Sequence, residues 1–170
     1  LRSYLDECPE MSDYRFYIED LLRSKEHILS DEEERLLSLA GDFSDGAHDI
    51  FTMLNNADLR FSKIEHNGKE YPLTHASYIE YMQSEDRELR KKAYEAFYEE
   101  FKQHKNTIAA TYATSVKKDV FYAKARKFDS PIKSALFSDD VDVSVYDKLI
   151  SDIHRHLPTM HRFVSLRKRL

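Results

Sequence analysis

Cysteine, glycine and proline are scarce in this sequence, and each shortage excludes a class of protein. The single cysteine, Cys8, leaves no internal disulfide framework, which is typical of a reducing compartment. Only 3 glycines and 4 prolines are present, too few for a loop-rich or low-complexity chain. The 11 tyrosines and 10 phenylalanines exclude a disordered chain, because such chains are poor in aromatic residues.

Long apolar runs and a strong positive charge are also missing. No run approaches the roughly 18–20 apolar residues that a membrane-spanning helix needs, and no export signal is recognisable. A net charge of −5 argues against a broad nucleic-acid-binding surface, although residues 162–169 form one basic cluster. We therefore expect neither membrane nor nucleic-acid binding, and a cytoplasmic location.

What remains is a helix-rich pattern in 170 residues, a length within the range of one domain. The chain begins at Leu1 without an initiator methionine, and a helical pattern runs to Leu170 without a stop signal. We therefore expect this chain to be part of a longer protein.

Two helices are predicted before residue 42. Apolar residues at helical spacing predict the first over residues 12–25, after Pro9. Ser30 and Glu33 form a capping box that starts the second, and Gly41 is predicted to end it.

A third helix and a hairpin follow. Ser44 or Asp45 is predicted to cap the helix, which ends near residues 55–56. The dipeptide at residues 67–68, Asn-Gly, is the strongest short signal for a type I′ hairpin turn, and Pro72 keeps the return strand short. A lone two-stranded hairpin is only marginally stable, so it must rest on helices or on a partner.

The longest helical stretch is predicted between Ser84, as its cap, and Arg126, after a short helix that Thr74 caps. A break near residues 103–106 would divide this stretch into two helices in series. Its apolar ridge consists of Leu89, Ala93, Phe97, Phe101, Ile108, Tyr112, Val116 and Val120.

Two further helices are predicted in the last 41 residues. Ser130 and Pro131 start a short helix that ends at Phe137. A final amphipathic segment starts at Ser144, with a kink or a restart at Pro158. The predicted fold class is mainly α: a multi-helix array with one long amphipathic helix, or two in series, and a small β-hairpin. We expect two segments, 1–73 and 74–170.

No complete catalytic or metal site is recognisable, so we name no catalytic, metal-binding or substrate-binding residue. The zinc-peptidase motif His-Glu-x-x-His is absent because none of the 8 histidines is followed by glutamate. His154 and His161 are spaced to share a helix face, with His156 turned away, but solvated histidines are the favoured interpretation. Gly41 and Gly46 have phosphate-loop spacing without the lysine that binds phosphate.

Other reactive groups are equally isolated. Cys8 has no CxxC partner, and Glu95 and Glu99 lie among lysines that favour a salt-bridged surface. The aromatic stripe is interpreted as core. Some of its members could still line a groove, and the candidates are Tyr112, Phe121 and Tyr122.

Several strings, taken in order, closely resemble the N-terminal region of the oligoendopeptidase F family. They are residues 27–30 (HILS), 32–37 (EEERLL), 53–61 (MLNNADLRF), 73–75 (LTH), 105–107 (KNT), 117–126 (KKDVFYAKAR), 135–137 (ALF) and 145–147 (VYD). The resemblance covers nearly the whole chain. That family is similar to thimet oligopeptidase: largely helical zinc metallopeptidases in which a deep channel admits short peptides.

The resemblance implies a parent enzyme that hydrolyses oligopeptides in the bacterial cytoplasm with zinc bound outside this chain, in an absent C-terminal catalytic domain. This chain alone is then expected to be inactive, to form one wall of the substrate channel, and to self-associate where the missing part packs. Two alternatives stay open. One is a stand-alone helical module that binds peptides or a protein partner without catalysis, and the other is a metal-dependent activity of the dispersed histidines.

Overall fold

Contacts within the chain define two units. The computed structural model describes Leu5 and residues 9–170, and these divide into residues up to 35 with 119–170, and residues 36–118. Both unit boundaries lie inside helices. The division into segments 1–73 and 74–170 is a different one and stays a prediction.

The described elements are helical except for one hairpin, which confirms the mainly α fold class. In chain order they are a 3₁₀ helix Pro9–Tyr14, α1 Arg15–Ser24, a 3₁₀ turn Lys25–His27, α2 Asp31–Ser44, α3 Gly46–Met53, a π-turn Leu54–Asp58, β1 Ile64–His66, β2 Lys69–Tyr71, α4 His75–Met82, α5 Arg87–Gln103, α6 Lys105–Ala125, α7 Pro131–Phe137 and α8 Val143–Arg167. Within the described residues, no helix is both long and apolar enough to cross a membrane.

Three predicted helix starts are confirmed. Ser30 Oγ accepts from the Glu33 amide at 3.4 Å, and the Glu33 carboxylate accepts from the Ser30 amide at 3.0 Å. Thr74 and Ser77 form a second capping box at the start of α4. Ser130 caps α7, with a proline at the first helical position.

Two predicted helix starts differ from the structure. Asp86, not Ser84, caps α5, and its Oδ1 accepts from the Glu88 and Leu89 amides at 2.9 and 3.2 Å. Asp142 caps α8, which begins at Val143, one residue before the predicted start at Ser144. A carboxylate adds favourable charge at the positive end of a helix.

The ends of α2 and α3 also differ from the prediction. Gly41 does not end α2, because a helical glycine costs only about 1 kcal/mol and the helix continues to Ser44. Asp45 precedes α3 without a side-chain capping bond, and its carboxylate accepts from Lys118 Nζ at 3.2 Å. A π-turn extends the third helical segment to Asp58.

The final helix runs through Pro158 without a restart. A proline removes one backbone hydrogen bond, which the flanking turns of this 25-residue helix tolerate. The alternative of two helices in series is correct for the long stretch, because His104 interrupts it between α5 and α6.

The hairpin has the predicted turn. Ile64 lies opposite Tyr71 and His66 opposite Lys69, so a two-residue loop joins the strands. The loop residues, at positions 67 and 68, have φ values of 52° and 72°, the positive values that a type I′ turn requires.

The hairpin rests on α5, which supplies the support that a two-stranded ribbon needs. The buried cluster of the second unit consists of Ile64, Leu73, Leu89, Ala93 and Phe97. Its members come from both of the predicted segments, 1–73 and 74–170. Polar contact reinforces this packing, since His66 Nε2 donates to the Asp86 carboxylate at 2.6 Å.

Replacement of Phe97 by alanine is expected to lower the free energy of unfolding by about 3–5 kcal/mol, because a buried aromatic ring leaves a cavity. Tyr94, one turn earlier and 51% exposed, is the matched control, with an expected loss below about 1 kcal/mol. Urea unfolding followed by circular dichroism measures both. Equal losses in the two variants contradict the assignment of Phe97 to the core.

Removal of the α5 cap is expected to have a pH-dependent effect. The hydrogen bond from His66, with those from the Leu89 and Glu88 amides, lowers the pKa of Asp86. A carboxylate whose pKa is lowered in the folded state stabilises the fold at pH values above its unfolded-state pKa. This stabilisation is lost as the pH falls through the folded-state pKa. Asp86→Ala should therefore lower the Tm at pH 7 and converge with the wild type at strongly acidic pH, whereas Glu85→Ala changes little at either pH.

Candidate functional site

The second unit carries an apolar groove of roughly 740 Å³ at the junction of α5 and α6. It is lined by Tyr94, Glu95, Phe97, Tyr98, Phe101, Lys102, Lys105, Ile108, Ala109 and Tyr112. A concave apolar surface with a few polar groups is the usual form of a ligand site. The sequence analysis named three aromatic residues that could line a groove, and of these only Tyr112 lines this one.

Aromatic rings form one side of the groove. The ring centroid of Tyr98 lies 4.6 Å from that of Tyr94 and 6.3 Å from that of Phe101. Tyr98 is 41% exposed and Tyr112 is 73% exposed, so ring faces are open to a ligand. Such faces can contact apolar or aromatic side chains.

The helix break creates the groove. His104 ends α5 with φ −100° and ψ 10°, and its Nδ1 donates to the Glu100 carbonyl at 3.0 Å. Phe101 of α5 and Ile108 of α6 line the same groove on either side of this break. The sequence indicates the break but not the groove that it produces.

Charged side chains border the groove. Lys102 pairs with Glu99 at 3.5 Å, and both are exposed, which confirms the predicted salt-bridged surface at Glu99. Exposed pairs of this kind contribute little stability. Lys105, from the first turn of α6, adds a second cation, and Glu95 adds a carboxylate.

Tyr78 lies behind the groove, stacked on Phe97 with a centroid distance of 4.2 Å. Burial raises the pKa of Tyr78 above its usual range, with a further contribution from neighbouring Tyr98.

A second groove of the same unit lies between α3 and α6, with a volume of roughly 630 Å³. It is lined by Phe43, Gly46, Ala47, Ile50, Asn106, Thr107, Ala110, Thr111 and Thr114. Gly46 begins α3 and Gly41 lies within α2, so these glycines form helix rather than a phosphate-binding loop.

The first unit contains a polar cluster around Arg126. Its guanidinium donates to both carboxylate oxygens of Glu34 at 2.9 Å, and its NH1 donates to the His27 carbonyl at 3.4 Å. His27 Nδ1 donates in return to the Arg126 carbonyl at 2.7 Å. This bidentate geometry ties the start of α2 to the end of α6.

Aromatic packing completes that cluster. The His27 ring stacks on Phe128 at 3.6 Å and meets the edge of Phe137 at 4.7 Å. The Arg23 guanidinium lies 4.0 Å from the centre of the Phe137 ring. Sequence reasoning missed this cluster because its members are far apart in the chain and match no local motif. Its side chains are occupied by one another, which makes it a structural cluster.

The other candidates from the sequence do not form a site. His154, His156 and His161 lie exposed on α8, and Cys8 falls outside the described residues. Phe121 and Tyr122 contact each other near the end of α6, with ring centroids 5.3 Å apart.

Comparison with protein-family models shows which family the chain belongs to. The model described as Oligopeptidase F matches residues 1–61. The model described as Peptidase family M3 matches residues 80–170, which is more than half of the chain. The chain belongs to peptidase family M3.

The similar proteins within this family are oligopeptidases. Oligopeptidase PepF of Bacillus subtilis is 39% identical over 171 residues, which is 100% of this chain and 26% of PepF. Group B oligopeptidase PepB of Streptococcus agalactiae is 36% identical over 99% of this chain and 28% of PepB. The crystal structure of oligoendopeptidase-F from Enterococcus faecium has a TM-score of 0.87 and 39% identity, over 98% of this chain and 32% of that chain.

These matches confirm the resemblance to oligoendopeptidase F, and they also show that the chain spans about a quarter of the length of its curated relatives. The resemblance implies a zinc ion. Within residues 9–170, no three histidine, cysteine, aspartate or glutamate side chains converge as ligands, so these residues do not fit zinc.

Loss of the Arg126 guanidinium is expected to destabilise the first unit in a pH-dependent way. The hydrogen bonds from Arg126, and then the one from the Leu29 amide, lower the pKa of Glu34. The stabilisation is therefore present above the unfolded-state pKa of glutamate and is lost as pH falls through the folded value. Arg126→Met should lower the Tm at pH 7, and thermal unfolding curves should approach those of the wild type as the pH is lowered. A Tm difference between variant and wild type that stays constant from pH 7 to strongly acidic pH contradicts the ion pair. The control is Arg155→Met, which removes an exposed arginine of α8.

Proposed function

We propose that this chain is a non-catalytic N-terminal part of a zinc-dependent oligoendopeptidase and forms one wall of its substrate channel. Two observations support the proposal: the family membership and the share of about a quarter of each relative's length. The observation that carries the channel-wall role is the groove between α5 and α6, which offers exposed aromatic rings and no catalytic group.

The chemistry of the groove suits short peptides. Aromatic and aliphatic walls bind apolar peptide side chains, and Lys102 and Lys105 attract a carboxylate of the peptide. A peptide lying along this wall is held by contacts that are the same in the ground state and the transition state. Such contacts change KM and leave kcat nearly unchanged.

A zinc ion bound elsewhere in the parent enzyme would supply Lewis-acid chemistry for peptide hydrolysis. Its ligands belong to residues outside this chain, and no step of hydrolysis is assigned to the described residues. The role of the chain is to bind and orient the peptide and to limit its size.

The two-segment organisation belongs to the same proposal. The family matches end at residue 61 and resume at residue 80, on either side of the proposed boundary between segments 1–73 and 74–170. Action on cytoplasmic peptides accords with the bacterial oligopeptidases that the chain matches.

The alternative function is a stand-alone module that binds peptides without cleaving them. The same groove favours it, because aromatic walls bind peptides whether or not a catalytic centre is attached. Calorimetry of the isolated chain with short peptides measures this activity. Tight binding by the chain alone, together with failure of the graft described next, favours the module over the channel wall.

The test is a chimera in which this chain replaces the matching residues of B. subtilis PepF. We expect hydrolysis of a short fluorogenic peptide to be retained. Tyr98→Ala with Tyr112→Ala should raise KM by about 5–30-fold, the effect of about 1–2 kcal/mol of lost apolar contact, with kcat nearly unchanged. The matched control is Tyr17→Ala, an exposed tyrosine on α1.

A graft of the matching residues of S. agalactiae PepB controls for damage caused by grafting. If that graft is active and this chain's graft is inactive, the proposed function is wrong. An active chimera whose KM and peptide-length limit do not respond to the two tyrosine substitutions contradicts the groove as part of the channel wall.

A further inference from the structure

The groove between α5 and α6 carries opposite charges at its two ends. Glu95, Tyr98 and Lys102 follow one another at spacings of 3 and 4 residues, so they share one face of α5. Glu95 begins this row and Lys102 ends it, and Lys105 of α6 also lines the groove. A ligand that lies along the row therefore meets a carboxylate at one end and ammonium groups at the other.

These charges are available to a ligand. Within residues 9–170, neither Glu95 nor Lys105 forms an ion pair or a side-chain hydrogen bond. Lys102 pairs with Glu99 at 3.5 Å, but the two side chains are 71% and 60% exposed. An exposed pair of this kind contributes little stability, so a ligand carboxylate can take the place of Glu99 on Lys102 at low cost.

The aromatic surface between the charged ends is held in position before a ligand binds. The ring centroid of Tyr98 lies 5.6 Å from that of Phe97 and 6.4 Å from that of Tyr78, and both contacts are edge to face. Tyr94 packs on it from another side at 4.6 Å. Because these neighbours already restrict the Tyr98 ring, little conformational entropy is lost when a ligand packs on it.

The tyrosines also favour a cation at the acidic end. Tyr94 and Tyr98 flank Glu95 in the lining of the groove. The face of an aromatic ring attracts an ammonium group, and a carboxylate beside it adds to the attraction. The lysine end attracts a carboxylate instead. The ligand that complements both ends is a zwitterion with an apolar middle.

The length of the row selects the size of that zwitterion. Glu95 and Lys102 are separated by two helical turns, which is about 10.5 Å at 1.5 Å per residue. An extended peptide of three residues spans about 10 Å at roughly 3.3 Å per residue. A tripeptide therefore reaches from one charged end to the other.

We propose that the groove recognises both free termini of a tripeptide, with the α-ammonium group at Glu95 and the α-carboxylate at Lys102 and Lys105. The middle side chain lies against Tyr98 and is apolar or aromatic. This inference rests on the proposed function and deepens it, because the wall then selects peptides by their length and by their free ends, and it fixes their direction.

Calorimetry of the chain with the tripeptide alanyl-phenylalanyl-alanine tests the two terminal contacts. Acetylation of its amino group and amidation of its carboxylate should each weaken binding about 5-fold, because each removes one charge contact at an exposed site. Glu95→Gln should weaken the free tripeptide about 5-fold and leave the acetylated one unchanged. Lys105→Gln should weaken the free tripeptide and leave the amidated one unchanged.

The matched control is Glu88→Gln, which removes an exposed carboxylate of α5 outside the groove and should not alter binding. Circular dichroism establishes that the variants keep the helical fold. No binding of the free tripeptide overturns the inference. So does an affinity for it that is insensitive to acetylation and to Glu95→Gln.

The active PepF chimera separates this inference from the proposed function. The tripeptide should compete with the fluorogenic peptide, and Glu95→Gln should raise its inhibition constant about 5-fold. If KM responds to the tyrosine substitutions but the inhibition constant does not respond to Glu95→Gln, the channel wall stands and terminus recognition is overturned. A tripeptide that binds the chain but does not inhibit the active chimera shows that other residues of PepF cover the groove, which also overturns the inference.

Discussion

The stacking of Phe97 between Phe61 and Tyr78 is the contact on which the second unit depends. Its ring lies parallel to both neighbours, with centroid distances of 4.7 and 4.2 Å. One ring thus joins α5, α4 and the segment before the hairpin. A two-stranded hairpin is not stable by itself, so the hairpin persists because this cluster is present.

The same contact determines which tyrosines face outward. With Phe97 turned towards the core, Tyr94 and Tyr98 project from the exposed side of α5. The break at His104 then brings Ile108 and Tyr112 of α6 to the same place. The groove is a consequence of core packing and of one interrupted helix, and it needs no additional element of structure.

Local features were predictable from the sequence because their partners lie within about four residues. The capping boxes and the Asn-Gly turn belong to this class, and each is satisfied by backbone groups beside it. The cap of α5 shows the limit of such reasoning. Ser84 and Asp86 both have capping side chains, and Asp86 also receives a hydrogen bond from His66, 20 residues away.

Long-range contacts were not predictable, and the reason is physical. Arg126 and Glu34 are 92 residues apart, and neither belongs to a periodic pattern that indicates the other. The groove between α5 and α6 was predictable only in part. Tyr112 was a candidate, but its position depends on the direction of α6 after His104, which periodicity does not fix.

The apolar ridge shows why periodicity identifies a buried face without identifying what buries it. Leu89 is buried by the hairpin, whereas Val116, further along the same ridge, is 43% exposed. A residue that faces a core and one that faces another polypeptide obey the same spacing, because the helix geometry is the same in both cases.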